Sequence, residues 1–262
     1  MRAAAACLLL AACGGSTLVA QGDPREERAR VAFGEAEQAW TLRGDEASAR
    51  AAAQAYALAV ENGMDDALVP AARAHFYLAD CHLRFQTELR GEFLTELERS
   101  VRVARQGVER EPDGPASYWL AEARWVWARA QGPATFLMVE DELHVLARES
   151  RANDASYDAF GPDRMLGSLL ARTPSFAGGD LIASEQHFTA ARTGAPGDPR
   201  TLVRMAVEFA VASNQRPLFE TLLDEVIATR GSDPESVCAR QQAEQIRPKA
   251  QKFFPREIGN IE

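Results

Sequence analysis

The stretch from Tyr157 to Pro199, YDAFGPDRMLGSLLARTPSFAGGDLIASEQHFTAARTGAPGDP, restricts the fold more tightly than any other part of the chain. It reads as two antiparallel helices around a Gly-rich turn, with a third helix beginning directly after Asp198. Pro162 suits the first turn of a helix, where its missing N–H would be unpaired anyway, and Met165, Leu166, Leu169 and Leu170 then supply an apolar face at helical spacing. Pro174 stops that helix. Gly178 and Gly179 open backbone angles closed to other residues, Asp180 caps the next helix, and Pro196 and Pro199 punctuate its end. The unit is a helical hairpin.

From Arg28 onward the same signals recur, and no β-branched alternation is long enough for a sheet. The spacing predicts helices over 27–42, 45–62, 68–86, 90–110, 115–131, 135–150, 162–172, 180–193, 199–214, 216–229 and 234–252, separated by Gly, Pro and Asp clusters. The fold class is all-α. Ser184, Phe188, Ala191 and Pro196 match the small, bulky, small and proline positions of the second helix of a tetratricopeptide hairpin. Ser100, Ala104, Gly107 and Pro112 keep the spacing, as do Ala52, Tyr56 and Ala59, at irregular intervals along the chain. The expectation is a degenerate tetratricopeptide-like solenoid, an array of antiparallel helical hairpins over residues 28–262.

The first residues, MRAAAACLLLAA, form an apolar run too short to span a bilayer, so residues 1–12 read as an export signal. Leu10-Ala11-Ala12-Cys13-Gly14 resembles a bacterial lipobox, which makes Cys13 the lipidated N-terminus and residues 13–27 a polar tether. Cleavage after Ala20, giving a soluble exported protein, is the other reading. Gly14, where an Asp would retain a lipoprotein at the inner membrane, favours the outer membrane, with the chain on its periplasmic face. Loss of Arg2 with the signal moves the formal charge from -9 to -10, a poor surface for nucleic acid. Cys81 and Cys238 are 157 positions apart and each lies in a helical pattern, so two free, buried thiols are expected in preference to a disulfide.

The lipobox, the irregular hairpins, Tyr118-Trp119-Leu120-Ala121 with Trp125 in a mid-chain helix, and then Gly161-Pro162-Asp163-Arg164-Met165-Leu166-Gly167, Pro174, Gly179-Asp180, Phe188 and Pro196 stand in an order that resembles the TatT family. These are lipoproteins associated with tripartite ATP-independent periplasmic (TRAP) transporters. The resemblance is sharpest at Gly161, Pro162, Arg164, Leu166 and Gly167, which match the family's Gly-Pro-x-Arg-x-Leu-Gly pattern. It implies a non-catalytic periplasmic protein that assembles with a substrate-binding protein, a homotrimeric assembly, and an apolar channel for a hydrophobic small molecule. A general protein–protein interaction scaffold of the cell envelope is the alternative, separated from the first reading by an open, charged groove in place of a closed, apolar bore.

The helix over 115–131 carries the binding candidates. At 100° per residue Tyr118 and Trp125 share one side, and Trp119 lies a quarter-turn round, with Glu122 and Arg129 between the rings. Those charges could orient the head group of a mostly apolar ligand; the rings could equally be inter-helix packing, with the charges reaching solvent past them. The second is the commoner use of such residues. Arg164, badly placed for the dipole of its own helix, needs a carboxylate from elsewhere, and structural anchoring is its expected role ahead of binding a ligand or partner. His75 and His82 share a face, but no metal-binding spacing accompanies them, and Glu140, Asp141, Glu142 and His144 fan around a helix as a solvated face would. Neither a metal nor a cofactor is expected, and no nucleophile elbow, phosphate loop or dinucleotide fingerprint suggests an enzyme.

Overall fold

The computed structural model describes residues 23–112 and 114–255, so the expected signal, Cys13 and most of the tether lie outside the described residues. Within them the secondary structure is helical, with no strand. In chain order the helices are α1 (Pro24–Thr41), α2 (Glu46–Glu61), α3 (Leu68–Tyr77), α4 (Arg90–Arg110), α5 (Gly114–Gln131), α6 (Pro133–Asn153), α7 (Tyr157–Arg172), α8 (Leu181–Gly194), α9 (Pro199–Arg204), α10 (Arg216–Ile227), α11 (Pro234–Ile246) and α12 (Ala250–Phe253). Two helices continue as widened π turns, α3 through Leu78–Leu83 and α9 through Met205–Ala210. No described helix is long and apolar enough to cross a membrane.

Helix starts follow from local chemistry. Asp23, Asp45, Asp180, Asp198 and Asp233 each accept a hydrogen bond from a backbone N–H of the first turn, and at α1, α9 and α11 a proline fills the first helical position. Successive helices from α1 to α8 pack side by side as antiparallel neighbours, and α9 to α11 repeat the arrangement. Small residues at the seams let the axes approach. Ala49, Ala52 and Ala53 of α2 are buried with Tyr56, and Ser184, Phe188 and Ala191 line the buried face of α8. Three of the buried serines also tie neighbouring helices together: Ser100 donates to the Ala72 carbonyl, Ser150 to Gly114 and Ser184 to Gly167. Each satisfies a buried hydroxyl while holding the spacing of its hairpin.

The apolar core falls into two main clusters. One runs from α1 to α7 and the other from the end of α7 to α12. The array does not stay open between them. The π turn after α3 meets α11, where Cys81 and Cys238 are joined by a disulfide, with their Cα atoms 5.3 Å apart. Arg43 forks onto both carboxylate oxygens of Glu235, the Tyr77 hydroxyl donates to the Pro234 carbonyl at 3.1 Å, and the Gln242 amide donates to Asp80 at 2.8 Å. The expectation of two free thiols is therefore overturned. Separation along the chain says nothing about distance once an array curves back on itself, and this closure brings the first hairpins against the last.

Candidate functional site

Closure leaves a cavity of about 110 Å³ where the two halves meet, walled by α1, α3, α5, α7, α9 and α11. Rings from Trp40, Phe76, Tyr77, Tyr118 and Trp119 form its apolar sides. The rest of the wall is charged, with four arginines (Arg73, Arg164, Arg200, Arg204) against four carboxylates (Asp80, Glu122, Asp158, Glu235). The cavity is thus partly open and lined by charge as well as by rings, not the closed, apolar bore that the family resemblance implies.

The charges are arranged in two layers. At one end Arg164, itself buried, donates to Asp158 Oδ2 at 2.9 Å, to Asp198 Oδ2 at 3.0 Å and to the Tyr118 hydroxyl at 2.9 Å, and Tyr118 donates in turn to Asp158. Arg200 reaches the remaining oxygens of the same two aspartates at 2.8 and 2.9 Å. Every carboxylate oxygen in this lattice has a donor. The two guanidinium groups outweigh the burial of Asp158 and hold its carboxyl below the usual carboxylate range.

The lattice also holds an unusual backbone. Asp158, Ala159 and Phe160 have φ of 48°, 54° and 59°, a full left-handed turn of residues with a Cβ, which costs about 1–2 kcal/mol per residue. Arg164 donates to the carbonyls of Asp158 and Ala159, Arg200 donates to that of Asp158, and the Phe160 ring lies on bare backbone at Gly194. Gly161 follows because a Cβ there would stand 2.5 Å from the Tyr118 ring, and Gly167 because one would stand 2.8 Å from Phe188. The Gly-Pro-x-Arg-x-Leu-Gly pattern thus has a steric reading: two glycines admit rings, and the arginine between them clamps the turn.

The second layer is less complete. Glu122, only 2% exposed, pairs through Oε2 with Arg204, and burial pushes its carboxyl pKa up against the pull of that arginine. Glu122 Oε1, Arg204 Nη1 and Arg73 Nε are buried without a hydrogen-bond partner among the described residues. Arg73 lies over the Trp40 ring, 4.4 Å from its centre. Beyond this layer a smaller cavity of about 30 Å³ continues past Asp80, Val203, Arg204 and Gln242 to Trp125 and Glu208.

Glu208 closes that lower end between Arg129 and Arg172. Burial raises its pKa, but the two arginines outweigh burial and hold it at about 2 against an ordinary 4.5. A carboxylate with a depressed folded pKa contributes stability that is complete above its unfolded value and is lost as pH falls through the folded one. The protein is therefore expected to lose a few kcal/mol between pH 4.5 and about 2 through this group. Acid unfolding followed by circular dichroism should show a shallower pH dependence for Glu208→Gln, with lower stability than the native chain above pH 4.5 and convergence with it toward about pH 2; parallel slopes would remove the assignment.

Of the residues singled out in the sequence, Tyr118, Trp119, Glu122 and Arg164 line the one cavity. Trp125 and Arg129 do not. Trp125 packs edge-on to Phe136 under the Arg129 guanidinium, and Arg129 turns to Glu208. They share a helix face with Tyr118 and Glu122, but residues seven apart on a helix stand roughly 10 Å apart along its axis. Glu122 does not escape to solvent past the rings as the packing reading required but faces inward, whereas Arg129 stays partly exposed. Glu140 is buried too, with Oε1 unpartnered, so the solvated acidic face is only partly so; Glu142 answers Arg105 and Arg124 outside. His75 is buried against Glu96 at 2.6 Å, and His82 Nε2 meets the Arg43 carbonyl oxygen at 2.9 Å. Asp80 lies beside Cys81 and Cys238, but sulfurs bonded to one another offer no thiolate to a metal.

Sequence reading missed Arg73, Asp158, Asp198, Arg200 and Arg204. Asp198 and Arg200 carried a faint signal, as the cap and first turn of α9 immediately after the patterned stretch. No curated protein matches the chain. A family model described as TAtT, TRAP transporter T-component, matches residues 67–254, a span that takes in every cavity-lining residue except Trp40. The chain belongs to the TRAP transporter T-component family, an accessory component of that transporter system.

Proposed function

We propose that this protein is a non-catalytic periplasmic lipoprotein, anchored in the outer membrane through Cys13, that docks the substrate-binding protein of a TRAP transporter and holds a small ligand in its central cavity. The observation that carries ligand holding is the buried set of polar atoms on Glu122, Arg204 and Arg73, unpartnered among the described residues, beside the central cavity. Evolving chains rarely keep such atoms, each worth about 1–3 kcal/mol unsatisfied, unless something else pairs them. The Cys81–Cys238 disulfide supports an oxidising compartment.

For docking, the support is an exposed apolar edge. Met138 on α6 is 86% exposed, and Phe176 and Ile182, beside the turn between α7 and α8, are 92% and 74% exposed. α6 packs on α7 and α7 on α8, and His144 of α6 meets Thr173 at the start of that turn. Large apolar side chains left to solvent on both sides of one turn, as Phe176 and Ile182 are, mark a candidate protein contact.

Two measurements test the reading. Cys13→Ser is expected to move the protein from the membrane fraction to the soluble periplasm, and unchanged partitioning would remove the anchor. Phe176→Asp with Ile182→Asp is expected to abolish co-purification with the TRAP substrate-binding protein at unchanged melting temperature. Light scattering on the purified protein decides whether it forms the homotrimer expected from the family resemblance.

A further inference from the structure

The size of the cavity argues against a long apolar guest. A dry cavity of about 150 Å³ accommodates benzene. The cavity of about 110 Å³ therefore suits a molecule of roughly that size, and a long acyl chain would not fit within it.

The chemistry of the ligand follows from which wall groups are already satisfied. Arg164 and Arg200 are taken up by Asp158 and Asp198, Glu235 by Arg43, and Asp80 by Arg84 and Gln242. What remains is Arg73, which stacks on Trp40, interacts with the Tyr56 hydroxyl and makes no ion pair among the described residues, and the outer atoms of the Glu122–Arg204 pair. Two of the unpartnered atoms are guanidinium N–H donors, on Arg73 and Arg204, and the third is a carboxylate acceptor, on Glu122. With Glu122 cancelling one guanidinium, these three side chains carry one net positive charge.

We infer that the cavity takes a small α-hydroxy acid as its anion. Its carboxylate accepts from Arg73 and Arg204, the hydroxyl on the neighbouring carbon donates to Glu122 Oε1, and its short hydrocarbon chain lies among the rings of Trp40, Tyr77 and Trp119. A monoanion balances the residual charge; the hydroxyl supplies the donor that a plain carboxylate lacks. A site built to pair a hydroxyl rejects the analogue without it, because its own buried group is then left unpaired. This assignment rests on the reading of the cavity as a ligand site.

The test is calorimetric titration of the full-length protein with 2-hydroxybutyrate, butyrate, 1-butanol, 2-aminobutyrate and palmitate. The expected result is one-to-one binding of 2-hydroxybutyrate, at least tenfold tighter than each of the other four. Arg73→Gln, a half-buried residue outside the ion lattice, is expected to weaken 2-hydroxybutyrate at least tenfold with the melting temperature unchanged. The inference is overturned if butyrate matches 2-hydroxybutyrate, if 2-aminobutyrate or palmitate is preferred, or if none of the five binds, which would leave water as the partner of these atoms. Co-purification with the substrate-binding protein is scored separately. Loss of docking with hydroxy acid binding intact would remove the accessory reading alone, and docking without hydroxy acid binding would remove only the ligand assignment.

Discussion

Arg164→Ala is expected to lose about 3–5 kcal/mol of folding stability, the usual consequence of removing one partner from a buried ion pair. The side chain is 3% exposed, and its guanidinium serves two carboxylates, one hydroxyl and two carbonyls. Removing it leaves Asp158 and Asp198 to share Arg200, so buried negative charge is no longer balanced. It also unclamps the left-handed turn at Asp158, Ala159 and Phe160, since Arg164 holds the carbonyls of Asp158 and Ala159 against the conformational preference of the segment. At about 2–4 °C per kcal/mol for a chain of this size, the melting temperature should fall by roughly 6–20 °C. Arg164→Lys should recover only part of this, because an ammonium is a point charge and cannot span partners on two sides. Urea unfolding of the three proteins measures both effects. A loss below about 1 kcal/mol for the alanine variant would mean that Arg200 alone sustains the lattice, and the clamp argument would fail.

Much of the scaffold was legible because its signals are local. Asp180 and Asp198 cap the helices they precede, Pro174 and Gly178 stand in the turn between α7 and α8, and Ser184, Phe188 and Ala191 are buried at the spacing expected for a helix seam. The need of Arg164 for a remote carboxylate was also legible, since a cation in the first turn of a helix opposes the dipole. Which carboxylates answer it was not, for Asp198 is 34 positions away and Asp158 is presented by a turn that residue preferences disfavour. On α5 the helical wheel gave the inward face but not depth along the axis, so Trp125 and Arg129 were grouped with a cavity they only underlie. The remaining gap is closure. An array of hairpins is visible in one dimension, whereas the curvature that sets Arg73 and Glu122 opposite Arg204 accumulates from the crossing angles of every pair and has no single residue as its sign.

Closure itself makes the second large prediction. Replacing Cys81 and Cys238 by serine is expected to lower stability by about 2–4 kcal/mol, because the bridge ties residues 157 positions apart and a long loop takes more freedom from the unfolded chain. The loss should not be spread evenly. Beyond the bridge, the seam between the π turn after α3 and α11 rests on the Arg43–Glu235 pair and the hydrogen bonds from Tyr77 to Pro234 and from Gln242 to Asp80. Arg43 and Glu235 are partly exposed, and such a pair is worth little on its own. Without the bridge α11 should open ahead of global unfolding, exchanging its amide hydrogens faster than α5 and α6, which are packed within the larger core. Since Cys238, Ala239 and Gln242 form one wall of the cavity, ligand affinity should fall with it. Hydrogen exchange with mass spectrometry separates the possibilities: uniform acceleration across all helices would mean that the bridge stabilises the chain as a whole, and unchanged exchange at α11 would show that packing alone keeps the ring shut.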